Sequence, residues 1–324
     1  MDSARTAAVP WQQWTVAEYE SRAFQLLWNR RAAADGAHFT ASGRLESLLH
    51  MRSGRLRYWQ DLDNHVTVLA FMECNCTPNY VNSLWSSTAQ FGPSDLYQAH
   101  GGFVHEYLGL REAMQQVFEA CSENLRKPDW LLLLTGWSMG GALSTLCAVD
   151  IFDPRVDQIE QPRCPAALIS FGSPRVLNFE LAQWLDEQPL ERNLRVQAEG
   201  DFFCYNPSQM GGRFWHCGRR SLICHNAESG RWHLTEHAQE LGEEEEGFMK
   251  KLVLSPTLPL RIFDGVAPSL ASSVGGFLGI MFDAPANITN AFVHFHSYQN
   301  AFAQNTEDSL LPARGDDWRD AAVW

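Results

Sequence analysis

A continuous apolar run, Trp130-Leu131-Leu132-Leu133-Leu134, ends at Thr135-Gly136-Trp137-Ser138-Met139-Gly140-Gly141 and gives way to Ala142-Leu143-Ser144-Thr145-Leu146. A short run with no polar face reads as a strand buried on both sides, the pattern of a parallel sheet covered by helices. The small-residue stretch after it reads as a helix, so the intervening G-x-S-x-G must turn the chain sharply from strand to helix. Such a turn holds its Ser in strained backbone with the hydroxyl exposed. A Ser alcohol is a weak nucleophile and needs that exposure beside a base. The helix start aims backbone N–H groups at the charge that develops during attack, and the N–H of Met139 is the first donor. Without this context, a bare G-x-S-x-G is an ordinary Ser in a tight βα turn.

The rest of the chain alternates in the same way. Residues 17–34 carry apolar side chains at helical spacing. Residues 55–60, 61–64 and 65–72 read as strand, tight turn and strand, and residues 73–100 as irregular chain. Residues 102–125 read as one long amphipathic helix. Residues 141–152 then give a helix, 166–172 a buried strand, 179–187 a short helix and 193–200 another strand. Buried strands alternating with helices predict an α/β fold with a central, mostly parallel sheet flanked by helices. Residues 209–290 break the alternation, with short strands expected near Arg219–Cys224 and Arg231–Leu234 and an acidic run at Glu243–Glu246. No linker divides the chain. It reads as a single domain, 1–324, with an N-terminal helical extension over 1–54 and an elaborated insert over 209–290.

Charge and cysteine content exclude several functions. The 324 residues hold 25 Lys+Arg against 38 Asp+Glu, a formal charge of −13. That balance argues against nucleic acid and against electrostatic docking on an anionic membrane. Eight Cys scattered through a large chain read as free, mostly buried thiols of a reducing compartment. Cys204, His216, Cys217, Cys224 and His225 lie close in sequence but match no zinc-ligand spacing, so no metal is expected. The opening residues show no basic stretch followed by an apolar one, so a cytoplasmic location, including one peripheral to a membrane, is expected. Residues 265–282 are uncharged but rich in Gly and Ser and hold Pro268, which suits a buried or interfacial element better than a transmembrane segment.

These motifs together resemble the class 3, fungal-type lipases, a family of α/β-hydrolases. Members carry T-G-H-S-L-G-G-A-L at the elbow, and this chain has T-G-W-S-M-G-G-A-L. His100-Gly101-Gly102-Phe103 looks like the family's H-x-G-F. Phe171-Gly172-Ser173-Pro174-Arg175-Val176-Leu177-Asn178 looks like its Y/F-G-x-P-R-V-G-N. Arg195-Val196 followed by Asp201 and Pro207 keeps a further family spacing, and His216-Cys217-Gly218 resembles the H-x-G before a late strand, with its His structural.

The resemblance implies a serine carboxylester hydrolase that acts on acylglycerol or phospholipid-type esters at a membrane or droplet surface, with no cofactor. Ser138 falls on the nucleophile, Asp201 on the triad acid and a late His on the base. Two are on offer, His294 and His296, and His296-Ser297-Tyr298-Gln299-Asn300 looks more like the family's H-S-x-x-N. The oxyanion donors would be the N–H groups of Met139 and Cys74. Here the chain departs from the family, because Ala70-Phe71-Met72-Glu73-Cys74 replaces A-F-R-G-T. Residues 79–96, with Tyr80, Leu84, Trp85 and Phe91, fall on the family's lid, or form a plain surface loop. Residues 265–282 line the acyl site, touch a membrane or are a packed insert. The altered oxyanion stretch keeps a rival reading open: a lipase-like scaffold, catalytically weak or silent, used for protein interaction or signalling.

Overall fold

The computed structural model of the protein describes residues 9–28, 56–71, 87–156, 161–198, 204, 213–226 and 231–237. A 3₁₀ turn, Pro10–Gln13, leads into α1 (Val16–Trp28). Thr15 and Glu18 set the start of this helix. The Thr15 N–H donates to Glu18 Oε2 at 2.7 Å, and the Glu18 N–H donates to Thr15 Oγ1 at 3.2 Å, a reciprocal capping box. Strands β1 (Leu56–Asp61) and β2 (Val66–Phe71) form the expected antiparallel hairpin. Two short strands, β3 (Thr88–Gln90) and β4 (Gln98–His100), pair antiparallel within the stretch read as irregular.

The single helix expected over 102–125 is two: α2 (Gly101–Leu108) and α3 (Arg111–Leu125). The break falls at Gly109-Leu110, where the poorest non-proline helix former interrupts the periodic pattern. Next come β5 (Leu131–Trp137), α4 (Met139–Phe152), β6 (Ala166–Phe171), α5 (Phe179–Asp186) and β7 (Leu190–Ala198). The chain ends its described part in a hairpin of β8 (Arg219–Asn226) and β9 (Arg231–His237). Among the described residues, seven strands form one sheet in the order β1-β2-β5-β6-β7-β8-β9, parallel from β2 through β8 and antiparallel at both ends of that order. The late strands therefore continue the main sheet.

Strand alternation gives each face its own core. One face presents Val68, Leu131, Leu133, Ile169 and Val196 to Trp11, Tyr19 and Phe24 of the N-terminal segment. The other presents Leu132, Leu134 and Leu168 to side chains of the helices, among them Phe103, Tyr107, Phe118, Leu143 and Leu181. Each buried side chain of this size contributes about 1.5–3 kcal/mol of hydrophobic stabilisation. Helix α4 is buried from Met139 through Ile151. Its small residues allow that, and the buried hydroxyls of Ser144 and Thr145 both donate to the Gly141 carbonyl at 2.9 Å.

One carboxylate ties the far end of α4 to the helices outside it. Asp150, 1% exposed, accepts the Tyr107 hydroxyl at 2.7 Å and two bonds from Arg111, at 2.9 and 3.0 Å. Burial pushes its carboxyl up, and the Arg111 guanidinium opposes that shift and keeps it a bidentate acceptor. Asp150→Asn preserves volume but removes the charge that two donors share. An expected loss of about 1.5–3 kcal/mol would be read by urea denaturation.

A buried histidine makes the fold acid-labile. His100, 1% exposed, caps α2 by accepting the Phe103 N–H through Nδ1 at 3.4 Å. Burial lowers its pKa from an ordinary 6.5 to about 4. The unfolded chain then binds a proton that the fold refuses between those values. Stability present above pH 6.5 is therefore lost as pH falls toward 4, by about 3 kcal/mol in all. His100→Asn keeps a capping acceptor, and its melting temperature is expected to fall less between pH 7 and 4 than that of the wild type.

The His216-Cys217-Gly218 turn gains a structural reading. His216 Nε2 lies 2.7 Å from the Cys204 carbonyl. Gly218 sits at φ +80°, where a Cβ would come 2.5 Å from Asn193 Oδ1. Its N–H donates to Asp186 Oδ1 at 2.7 Å, which fixes where β8 begins. Cys121, Cys147, Cys164, Cys204 and Cys217 are buried and in no disulfide. Phe91, grouped in the sequence with the lid side chains, is a core residue that meets Tyr107 edge-on at 5.6 Å. Among the described residues, no helix is long and apolar enough to cross a membrane. Tyr80, Leu84 and Trp85, the acidic run 243–246 and residues 265–282 lie outside the described residues.

Candidate active site

Strand β5 ends at Trp137 and α4 begins at Met139, so Ser138 alone makes the turn between them. It does so at φ 54°, ψ −124°, a conformation that side-chain-bearing residues rarely adopt. Only His65, in the β1–β2 turn, shares a positive φ among the described non-glycine residues. Ser138 and Trp137 before it are partly exposed, while the rest of β5 and α4 from Met139 through Ile151 are buried. The turn thus lifts a hydroxyl-bearing residue to the edge of the core.

Three restraints hold this conformation. The Ser138 N–H donates to the Phe171 carbonyl at 2.8 Å, across from the last residue of β6. The Ser138 carbonyl accepts the Gly141 N–H at 2.9 Å, which starts α4. Gly136 lets the strand cross the helix start at backbone contact: a Cβ there would collide with the Gly140 carbonyl and lie 2.7 Å from the Gly141 nitrogen. Thr135 adds a bond from its hydroxyl to the Ile169 carbonyl at 2.8 Å, locking β5 to β6 just below the turn.

Met139 is the first residue of α4, and N–H groups at a helix start have no acceptor within the helix. A donor and a partial positive charge therefore flank the Ser138 side chain. Ser138 and Met139 are the two expected site residues that the structure describes, and it brings them together at one turn. Cys74, Asp201, His294 and His296 lie outside the described residues.

The strands that lead toward two of them do end at this edge of the sheet. Phe71, the last residue of β2, pairs with Gly136, and Cys74 follows three residues later in the sequence. In β7, Val196 pairs with Phe171, the strand ends at Ala198, and Asp201 is again three residues on. Parallel strands put their C-terminal ends on one edge, which is where such folds build their sites. Phe171 escaped the sequence reading as a site residue. It stood out only as part of a family landmark, and a backbone acceptor leaves no side-chain signature.

Known proteins give the same picture. The model of the class 3 lipase family, "Lipase (class 3)", matches residues 64–210. Phospholipase A1-II 5 of rice (Oryza sativa subsp. indica) is 29% identical over 130 residues, which are 40% of this chain and 26% of that protein. The chain thus spans about a quarter of the length of that curated relative. Rhizomucor miehei triacylglyceride lipase superposes with a TM-score of 0.52 at 20% identity, covering 65% of this chain and 82% of the lipase. A triacylglycerol lipase from Penicillium expansum gives 0.52 at 13% identity, covering 69% and 85%. At those identities the likeness shows a shared α/β-hydrolase fold. The elbow geometry, the sheet order and the matched stretch agree, and residues 64–210 of this chain are similar to the class 3 lipase family.

Proposed function

We propose that the protein is a serine carboxylester hydrolase acting on lipid esters of the acylglycerol or phospholipid class. The observation that carries this reading is Ser138, partly exposed and held at φ 54° where a strand meets a buried helix. Backbone strain of this kind costs about 1–3 kcal/mol and clusters at active sites. The family match, the phospholipase relative and the fold shared with triacylglycerol lipases support the ester class.

In this mechanism Ser138 Oγ attacks the ester carbonyl carbon while His296 takes the hydroxyl proton. Asp201 accepts the other ring N–H of His296, which fixes the tautomer and orientation of the imidazole. The N–H of Met139, with that of Cys74, binds the oxyanion. Collapse of the tetrahedral intermediate breaks the ester C–O bond, and the leaving alkoxide takes the proton from His296. Water, deprotonated by the same imidazole, then releases the fatty acid and restores Ser138.

Hydrolysis of p-nitrophenyl butyrate by single variants tests the triad. Asp201→Asn is expected to lower kcat by about 10⁴-fold, and His296→Ala by at least as much. His294→Ala should stay within a few-fold of wild type. Loss with His294→Ala but not His296→Ala would move the base to His294. Unchanged rates in all three would refute the triad. Emulsions of trioleoylglycerol against vesicles of dioleoylphosphatidylcholine would separate the two substrate classes.

A further inference from the structure

We propose that α1 is the mechanical support of the nucleophile turn and that Phe24 is its positioning residue; the catalytic half of this inference rests on the hydrolase reading above. Helix α1 precedes the residues that match the family, 64–210, and lies across β5 and β6 on the face opposite α4. The N-terminal segment, from the 3₁₀ turn through α1, is anchored differently at its two ends. At the start, the Trp11 indole N–H donates to the Asp129 carbonyl at 3.0 Å, just before β5. Near the other end, Phe24 meets Phe171 edge-on, with ring centroids 5.5 Å apart and planes at 65°. The segment thus runs from the N-terminal edge of the sheet to the edge that carries Ser138.

Phe171 is where this packing reaches the site. Its side chain lies in the α1 core, 0% exposed, and its carbonyl accepts the Ser138 N–H at 2.8 Å. It is also the last residue of β6, with Gly172 at φ 56° immediately beyond it. The strand ladder therefore restrains Phe171 from one side along the chain, and ring packing by Phe24 restrains it from beneath. Trp137, register partner of Phe171 and neighbour of Ser138, packs against the same core. A residue in disfavoured backbone stays there only while its surroundings block relaxation. Removing the Phe24 ring opens a space under Phe171 into which the strand end can settle, and the acceptor that holds Ser138 moves with it.

Two readouts on the full chain test this, at a temperature where circular dichroism shows every variant folded. The first is hydrogen exchange of the peptide containing Ser138, which reports the N–H bond to Phe171 without requiring activity. The second is the rate of labelling by a fluorophosphonate. Phe24→Ala is expected to speed exchange at Ser138 by about tenfold and to slow labelling by about 10–100-fold. Phe24→Tyr, which keeps the ring, should restore both. Trp11→Phe, at the far anchor, should lower the melting temperature and leave both unchanged.

Where Phe24→Ala fails to fold, Phe24→Leu is expected to shift both readouts in the same direction by a smaller factor. The proposal is overturned if the folded Phe24 variants leave exchange and labelling at wild-type values. It is equally overturned if Trp11→Phe moves them as far as Phe24→Ala does. A wild type that resists the label while its exchange still responds to Phe24→Ala would refute the hydrolase reading and leave the support role standing.

Discussion

Ser138→Gly is expected to lose ester hydrolysis by about four to six orders of magnitude and yet to melt slightly higher than wild type. The loss follows from removing the only group that can form the acyl bond. The stability gain follows from backbone geometry. At φ 54°, ψ −124° a Ser carries strain of about 1–3 kcal/mol, which a Gly does not. The greater freedom of Gly in the unfolded chain takes back about 0.5–1 kcal/mol. The net is a gain of about 1 kcal/mol, or a rise of roughly 2–4 °C for a domain of this size. Ser138→Ala should be equally inactive without that gain, because Ala keeps a Cβ. Calorimetry on the three proteins would show it, and a Ser138→Gly variant less stable than Ser138→Ala would contradict the assigned strain.

Gly136→Ala is expected to be the most destabilising methyl addition near the site. The added carbon would collide with the Gly140 carbonyl and crowd the Gly141 nitrogen, all backbone atoms of a helix start that is itself buried. Ordinary overpacking is relieved by side chains that move, at about 1–3 kcal/mol. Here β5 and α4 must separate, so a loss of about 4 kcal/mol or more is expected, together with activity. Urea denaturation reads the first, and butyrate-ester hydrolysis the second. Near-wild-type stability would mean that strand and helix do not cross this closely.

Local chemistry made much of this legible in the sequence. The leucine run reads as a strand covered on both faces, and it is an interior strand of the sheet, with β2 and β6 at its sides. The glycines around Ser138 marked the turn because strand and helix start cross there too closely for a Cβ. The hairpin over 56–71 was legible as two β-rich runs around a tight turn, and short strands were expected where β8 and β9 lie.

Other features depended on contacts that single residues do not announce. Gly109 splits the long helix in two, although a lone Gly is often tolerated inside one. The strands β3 and β4 are three residues each and carry too little pattern to register. Nothing in the N-terminal sequence tells that α1 covers the sheet beneath the nucleophile turn, because an amphipathic stripe does not name its partner. Phe171 acts through its main chain, which every residue possesses.

The most direct measurement is mass-spectrometric mapping of a fluorophosphonate adduct on the folded protein. The proposed mechanism requires a single phosphonyl group on Ser138, absent from Ser138→Ala and slowed by His296→Ala. A folded wild type that takes up no label, or takes it up elsewhere, would contradict the mechanism and favour a lipase-like scaffold without catalysis.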